Sequence, residues 1–338
     1  MSGDGRVVTG IGVVSPRGDT PSRLDLNGRP SHDATDSWFD VAAELGPRGY
    51  KYVPPSCRYL LAATRRALAD AGDLLPLVPE VRRGMAVGTN NGIAGLIDAM
   101  DETITGPGAG RLSPATAPYF SINTLAGRAA VEHGIKGWNL TLTSPRTAGL
   151  EALQAGARAV AADRADLLLA GSTEALLPRH TPGHAASEAG AAVLVLEPSA
   201  QAATRGAVSH GTCSTVTFSL PAAPPQGRAR QQDRARQTVA DALTSLLAPR
   251  TLDHPPSVRL VTDACPASTT LGALLHDLGC RTRTVPAGMG TFLPLLHVIH
   301  RLAGGGPPRI VATAAPGGAC AVTLVRPLRS TDRNQEDR

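Results

Sequence analysis

Aromatic residues make up only 3% of the 338-residue chain, and lysine occurs only at Lys51 and Lys136. A nucleic-acid surface calls for clustered basic groups, often interleaved with stacking aromatics. The net charge of +5 rests almost entirely on arginine. Its densest run, Arg228-Ala-Arg230 and Arg234-Ala-Arg236, lies in a Pro- and Gln-rich stretch without aromatics and reads as a solvated face. No nucleic-acid partner is expected. No apolar run reaches membrane-spanning length, and Met1–Asp4 lack the basic-then-apolar order of a signal peptide. Five scattered cysteines (Cys57, Cys213, Cys265, Cys280, Cys320) show no CxxC spacing, which speaks against zinc and a disulfide framework. A cytoplasmic protein with no membrane partner is the expectation.

With 42% hydrophobic and 18% charged residues, the chain can bury the core of one large α/β unit or two smaller domains. Short β-branched runs alternate with Ala/Leu-rich amphipathic segments. The pattern predicts strands at Arg6–Thr9, Met85–Gly88, Asn139–Thr143, Asp166–Ala170, Ala192–Glu197, Arg259–Asp263, Arg309–Thr313 and Ala321–Val325. It predicts helices at Pro55–Ala71, Asn91–Thr103, Asn123–His133, Pro145–Ala162, Arg234–Leu247, Thr269–Leu278 and Thr291–Leu302. Such alternation implies buried, largely parallel sheets covered by helices. Pro21–Pro47 and Pro221–Arg234 read as connections, and the charged end of the chain as a disordered tail.

Thr9-Gly10-Ile11-Gly12-Val13-Val14-Ser15-Pro16 follows an expected strand, as a dinucleotide-binding loop would. The third glycine of that fingerprint is missing, and Pro16 interrupts the helix that should hold the pyrophosphate. His180 and His184 have i, i+4 spacing but fall in a Pro/Gly-broken segment. His297 and His300 lie on an expected helix near no clear carboxylate. No cofactor and no metal are expected. A strand also runs straight into a helix through Ser144-Pro145-Arg146-Thr147, with Ser144 as N-cap and Pro145 at N1. Elbows of this kind often carry a nucleophile, because the helix N-terminus favours developing negative charge. This one has no thiol.

Several segments together resemble a β-ketoacyl synthase. They are Val7–Pro16, Val87-Gly-Thr-Asn-Asn-Gly92, Ile122-Asn-Thr-Leu-Ala-Gly127 and His133-Gly-Ile-Lys-Gly137. Ala165–Ala175 resembles that family's "aDvvlaGgtEa", Ser187–Glu197 its "geGAgvlvLE", and Pro316–Val322 its "fGGtNav". The resemblance implies an α/β, thiolase-type fold: two similar halves in a five-layered α-β-α-β-α arrangement. The halves are expected at 1–206 and 207–328, with 329–338 as the disordered tail.

The departures carry the functional reading. The family's elbow reads like "TaCasG", and the position of its cysteine holds Arg146. Its first catalytic histidine, in "vnaHGTst", corresponds to Ala264; its second, in "K..tGH..gAaG", to Met289, with Thr284 at the lysine. Only Ala175–Ser187 bridges Glu174 and Glu188, where the family carries a much longer insert. Guanidinium is no nucleophile and stays protonated. A ketosynthase-like chain without catalytic residues resembles the chain-length factor of type II polyketide synthases. That resemblance implies a heterodimer with a catalytic ketosynthase, indirect contact with acyl carrier protein, and an acyl tunnel that sets chain length. It implies tunnel residues at Phe120, Ser121, Thr124 and Leu125, with helical spacing placing Phe120 and Thr124 on one face. It implies a dimer interface along Asn139, Leu140, Thr141, Leu142 and Thr143. The alternative is an acyltransferase of the same fold using Cys265, Ser144 or Thr147 as nucleophile.

Overall fold

The computed structural model describes residues 5–27, 38–72, 74–221, 229–248 and 257–328. The expected tail at 329–338 and parts of both expected connections lie outside the described residues. In the N-terminal part, β1 (Arg6–Val14), α1 (Val41–Leu45), α2 (Pro55–Ala71), β2 (Arg83–Gly88), α3 (Ala94–Thr105) and α4 (Thr124–Glu132) come first. They are followed by β3 (Asn139–Leu142), α5 (Ala148–Ala161), β4 (Leu167–Glu174), β5 (Gly190–Pro198) and α6 (Ser199–Thr204). In the C-terminal part, β6 (Gly211–Ser219), α7 (Ala229–Leu247), β7 (Ser257–Thr262) and α8 (Pro266–Asp277) precede β8 (Arg281–Pro286), α9 (Phe292–Gly304), β9 (Arg309–Ala314) and β10 (Ala319–Pro327).

The strands lie in the order β3-β2-β4-β5-β1-β6-β10-β9-β7-β8. Across the middle, β1 and β6 meet only at Val8 and Gly211. On the first side, β2 runs parallel to β3 and β4, while β5 is antiparallel to β4 and β1. On the second, β7 runs parallel to β8 and β9, while β10 is antiparallel to β9 and β6. The two sides therefore share one topology. Helices α2 and α4 cover the outer face of the first sheet around Leu60, Leu61 and Leu125, and α7 and α8 cover that of the second around Val239 and Leu271. Helices α5 and α9 touch strands of both sheets and fill the space between them with Leu150, Leu153, Leu295 and Ile299. The result is the α-β-α-β-α layering that the resemblance implies, but the sheets are mixed rather than largely parallel, because β5 and β10 enter antiparallel to both neighbours. β4 is buried along its whole length, as a strand covered on both faces must be.

The glycines of Thr9-Gly10-Ile11-Gly12 lie inside β1 rather than in a loop after it. A Cβ on Gly12 would sit 1.9 Å from the Ala63 carbonyl oxygen, and one on Gly10 would sit 2.2 Å from that of Ala67. Their role is to let α2 press its alanine face onto the strand, and Ile11 N–H donates to Asp70 Oδ2 at 2.7 Å across the same contact. Two strands escape the hydrophobic pattern. β6 (GTCSTVTFS) is threonine- and serine-rich, and the edge strand β8 (RTRTVP) is mostly exposed. Short helices α1 and α6 also lack a full apolar period. Gly12→Ala is expected to cost at least about 3 kcal/mol, because a backbone oxygen cannot move aside as a side chain does. Urea denaturation will show a lowered midpoint, whereas Gly110→Ala, with nothing within 4 Å of its added Cβ, leaves the midpoint unchanged.

Candidate functional site

The elbow between β3 and α5 is built on backbone strain. Arg146 adopts φ 61°, one of three non-glycine residues with positive φ among the described residues. A left-handed residue of this kind costs roughly 1–2 kcal/mol. The helix accordingly begins at Ala148, with Thr147 at the N-cap position but making no side-chain capping bond, and not at Pro145 with Ser144 as cap. The turn is held by one carboxylate: Ser144 Oγ donates to Glu151 Oε2 at 2.8 Å and Thr147 Oγ1 to Glu151 Oε1 at 2.6 Å. Arg146 is 5% exposed, so its guanidinium needs a counter-charge.

That charge comes from the other half. After β7, Asp263 pairs with Arg146 Nη1 and accepts the Cys265 N–H at 3.0 Å. The next residue, Ala264, is again left-handed at φ 63°. Burial works to raise the Asp263 pKa, but Arg146 and the Cys265 donors outweigh it and hold it down at about 2. Asp263 also offsets the penalty of a cation near the N-terminus of α5. Two of the positions singled out in the sequence, Arg146 and Ala264, thus meet on facing loops.

The third, Met289, lies in the β8–α9 loop beside them. Its N–H donates to the Ala186 carbonyl at 2.8 Å, and its own carbonyl accepts from the side chains of Asn90 and Asn91 at 3.3 Å each. Two buried glutamates clamp this loop. Glu174 accepts N–H bonds from Asn90, Asn91 and Thr291 and a hydroxyl bond from Thr291. Glu188 Oε2 accepts the first N–H groups of α9, from Phe292 and Leu293, both at 3.0 Å. Gly288 is required here, since a Cβ would fall 2.0 Å from Glu188 Oε1. Burial and the neighbouring Glu188 charge push the Glu174 pKa up to about 7, and burial also raises that of Glu188. Thr284 stands apart, exposed on β8.

Asp263, Glu174, Glu188 and the Asn90–Asn91 pair were not singled out from sequence, though each lies in or beside a motif that was. Of the alternative nucleophiles, Ser144 and Thr147 are committed to Glu151, and the Cys265 thiol donates to Ser268 Oγ at 3.2 Å. No imidazole bonds to any of the three among the described residues. His180 lies 3.1 Å from Asp98, and His184 Nδ1 lies 2.6 Å from the Leu177 carbonyl.

The region expected to be one helix face around Phe120 and Thr124 is not one. A 3-10 turn ends at Phe120, Ser121 is extended, and α4 begins only at Thr124. The proline in the turn and the Ser121 hydroxyl, which donates to Asn123 Oδ1 at 2.5 Å, break the helical run. Phe120 is 64% exposed and Ser121 is exposed, but Leu125 is fully buried in the core under α2. Strand β3 is an edge strand bonded only to β2 among the described residues. Asn139 is exposed, and Leu140, Thr141 and Leu142 are half-buried. Thr143, just beyond it, is exposed. Between α2, α3 and the loop after β4 lies a cavity of about 500 Å³, with Tyr52, Tyr59, Leu96, Leu176 and Leu177 in its walls.

Two outcomes follow from this electrostatics. Asp263→Ala strands a buried guanidinium and is expected to lower stability by about 3 kcal/mol, whereas Arg146→Met/Asp263→Leu recovers most of the loss. Urea midpoints of the single and double variants test this. Acid adds a check: Asp263 sits below its ordinary 3.8, so its contribution is full above that value and is lost as pH falls through about 2. Glu174 has the opposite sign. Its folded pKa near 7 exceeds the ordinary 4.5, so its contribution is full below about 4.5 and is lost as pH rises through 7. Between pH 5 and 8 the wild type should lose more stability than Glu174→Gln, measured by urea denaturation at both values.

Comparison with known proteins gives these features a context. The model of the beta-ketoacyl synthase N-terminal domain matches residues 31–206. The 3-oxoacyl-[acyl-carrier-protein] synthase 2 of Rhizobium meliloti (strain 1021) is 29% identical over 202 residues, covering 51% of this chain and 47% of that one. The synthase 2 of Coxiella burnetii is 28% identical over 186 residues, covering 50% and 45%. The chain thus spans about half the length of the curated relatives it matches. Among solved structures, the fold is similar to a type II PKS acyl-carrier protein in complex with its ketosynthase bound to the hexaketide, with TM-score 0.74 and 18% identity over 95% of this chain and 99% of that one. It is also similar to the ishigamide ketosynthase/chain length factor, with TM-score 0.69 and 20% identity over 96% and 99%. These likenesses show a thiolase-type ketosynthase fold. With the family model covering more than half of its length, the chain belongs to the beta-ketoacyl synthase family.

Proposed function

We propose that the chain is a non-condensing ketosynthase-like subunit that pairs with a catalytic ketosynthase and shapes the space for its growing polyketide chain. One observation carries the reading. At the strained elbow where the family's pattern has a cysteine, a buried arginine is ion-paired to Asp263, and the two positions matched to histidines are Ala264 and Met289. Decarboxylative condensation needs a thiolate to hold the acyl group and donors to stabilise the enolate and oxyanion. Arg146 is no nucleophile and its guanidinium is held by Asp263, while the side chains of Ala264 and Met289 carry no N–H or O–H donor. The acyltransferase alternative is less well supported, since no imidazole bonds to Cys265, Ser144 or Thr147 among the described residues.

In this reading the halves 1–206 and 207–328 form the two sides of the fold, and the β3 edge is where the partner docks. An uncovered edge strand with half-buried leucines suits pairing with another chain. Exposed Phe120, Ser121 and half-buried Thr124 then face that partner and flank the acyl chain, while Leu125 serves the core. The solved ketosynthase/chain length factor pair of the same fold supports this arrangement. Acyl carrier protein would reach the assembly through the catalytic subunit.

Co-expression with a catalytic type II ketosynthase tests the proposal. Ser121→Phe and Thr124→Trp are expected to shorten the products, seen by mass spectrometry, with the heterodimer undiminished. Unchanged products from both would reject the tunnel role. Leu140→Asp is expected to abolish co-purification. Arg146→Cys should restore no condensation by this chain, because positions 264 and 289 still carry no imidazole.

A further inference from the structure

At the far end of α9 from the elbow, the fold gathers positive charge around a hole. Helix α9 meets β7, β9 and the turn at Pro21–Arg23 around a cavity of about 280 Å³, walled by Arg259, Arg301, Arg309, His297, His300 and Ser22. Register explains the convergence. Arg259 on β7 lies opposite Val311 on β9 and Arg283 on β8, and Arg309 is two residues before Val311. With the period of two along strands, the three arginines share one face of the sheet. Helix α9 lays His297, His300 and Arg301 over that face. Arg301 is nine residues along α9 from Phe292, roughly 13 Å from the loop clamped by Glu188.

The cluster is left without an answering acid. None of Arg259, Arg283, Arg301 and Arg309 pairs with a carboxylate among the described residues. Arg301 donates to the Pro307 carbonyl, and its buried Nε has no partner. His297 is 5% exposed, and its Nε2 also has no hydrogen-bond partner. Burial, then the charges of Arg259, His300 and Arg17, hold His297 down to about 3, so its imidazole is neutral, and in the Nε2–H tautomer it donates into the cavity. Burial lowers the Arg259 pKa first, then the charges of Arg283 and Arg309; for Arg301 it is burial, then Arg309. Elsewhere in the chain, buried or half-buried arginines such as Arg146, Arg82 and Arg205 each have a carboxylate.

We propose that this cavity binds the phosphate group of a small anionic ligand. Guanidinium forks match a tetrahedral oxyanion in geometry as well as charge, and several converging on one hole favour phosphate over a single carboxylate. The volume leaves room beyond one phosphate group, so a phosphomonoester or a diphosphate fits the same walls. The ligand would tie α9 to β7, β9 and the Pro21–Arg23 turn, and so stabilise the second half of the fold by mass action. The site is independent of the elbow and of any role in condensation.

The test is isothermal titration of the full chain with inorganic phosphate and with pyrophosphate, alongside melting temperatures with and without each. Saturable single-site binding is expected, weakened at least tenfold by Arg259→Gln and by Arg309→Gln and unaffected by Arg230→Gln on the exposed face of α7. Removing one of the crowded arginines should leave the ligand-free melting temperature unchanged or raised, so loss of binding cannot be ascribed to unfolding. Tighter binding of pyrophosphate would assign a diphosphate ligand, and equal binding a single phosphate group. No saturable heat with either anion, or equal weakening by Arg230→Gln, would overturn the proposal.

Discussion

A guanidinium buried at the start of a helix has to be answered by a carboxylate, and in this chain the answer comes from the other half of the molecule. The Arg146–Asp263 pair joins the elbow after β3 to the loop after β7. Both loops turn through left-handed residues, Arg146 and Ala264, whose strain persists only where surroundings over-determine it. The pair is therefore a cross-brace between the two repeated sides of the fold. A buried guanidinium at this elbow needs a counter-charge, and Asp263, directly before the left-handed Ala264, is placed to give it.

The surroundings of that brace remain those of a rigid, buried site. Glu174 through both oxygens and Glu188 through Oε2 accept backbone N–H groups of Asn90, Asn91, Thr291, Phe292 and Leu293, which pins the β8–α9 loop against the end of β4. Such preorganisation of backbone is what a reacting centre needs, yet here it frames Met289 and an ion pair. On the proposed reading, this rigid frame is what a non-condensing subunit would keep for its shape.

Much of this was legible in the residues. The limits of α2 follow from Pro55 and the apolar period through Ala71, and the strand β9 from its β-branched run. What escaped had physical causes. β6 and β8 are polar or charged strands whose pairing, not whose hydrophobicity, places them in the sheet. The helix expected through Phe120–Thr124 gave way to a 3-10 turn because Ser121 bonds locally to Asn123. Arg146, Ala264 and Met289 were found from motif positions, but Asp263 was not, since a single exposed-looking aspartate carries no spacing signal. The basic cavity escaped because its arginines come from three elements that only register and packing bring together.

On the proposed reading, this chain holds no acyl group and a catalytic ketosynthase partner does. Incubating the co-purified heterodimer with an acyl-thioester probe and weighing each intact subunit tests it most directly. The acyl mass shift is expected on the partner ketosynthase alone, with this chain at its unmodified mass. A stoichiometric acyl adduct on this chain, whether at Cys265, Ser144 or Thr147, would contradict it.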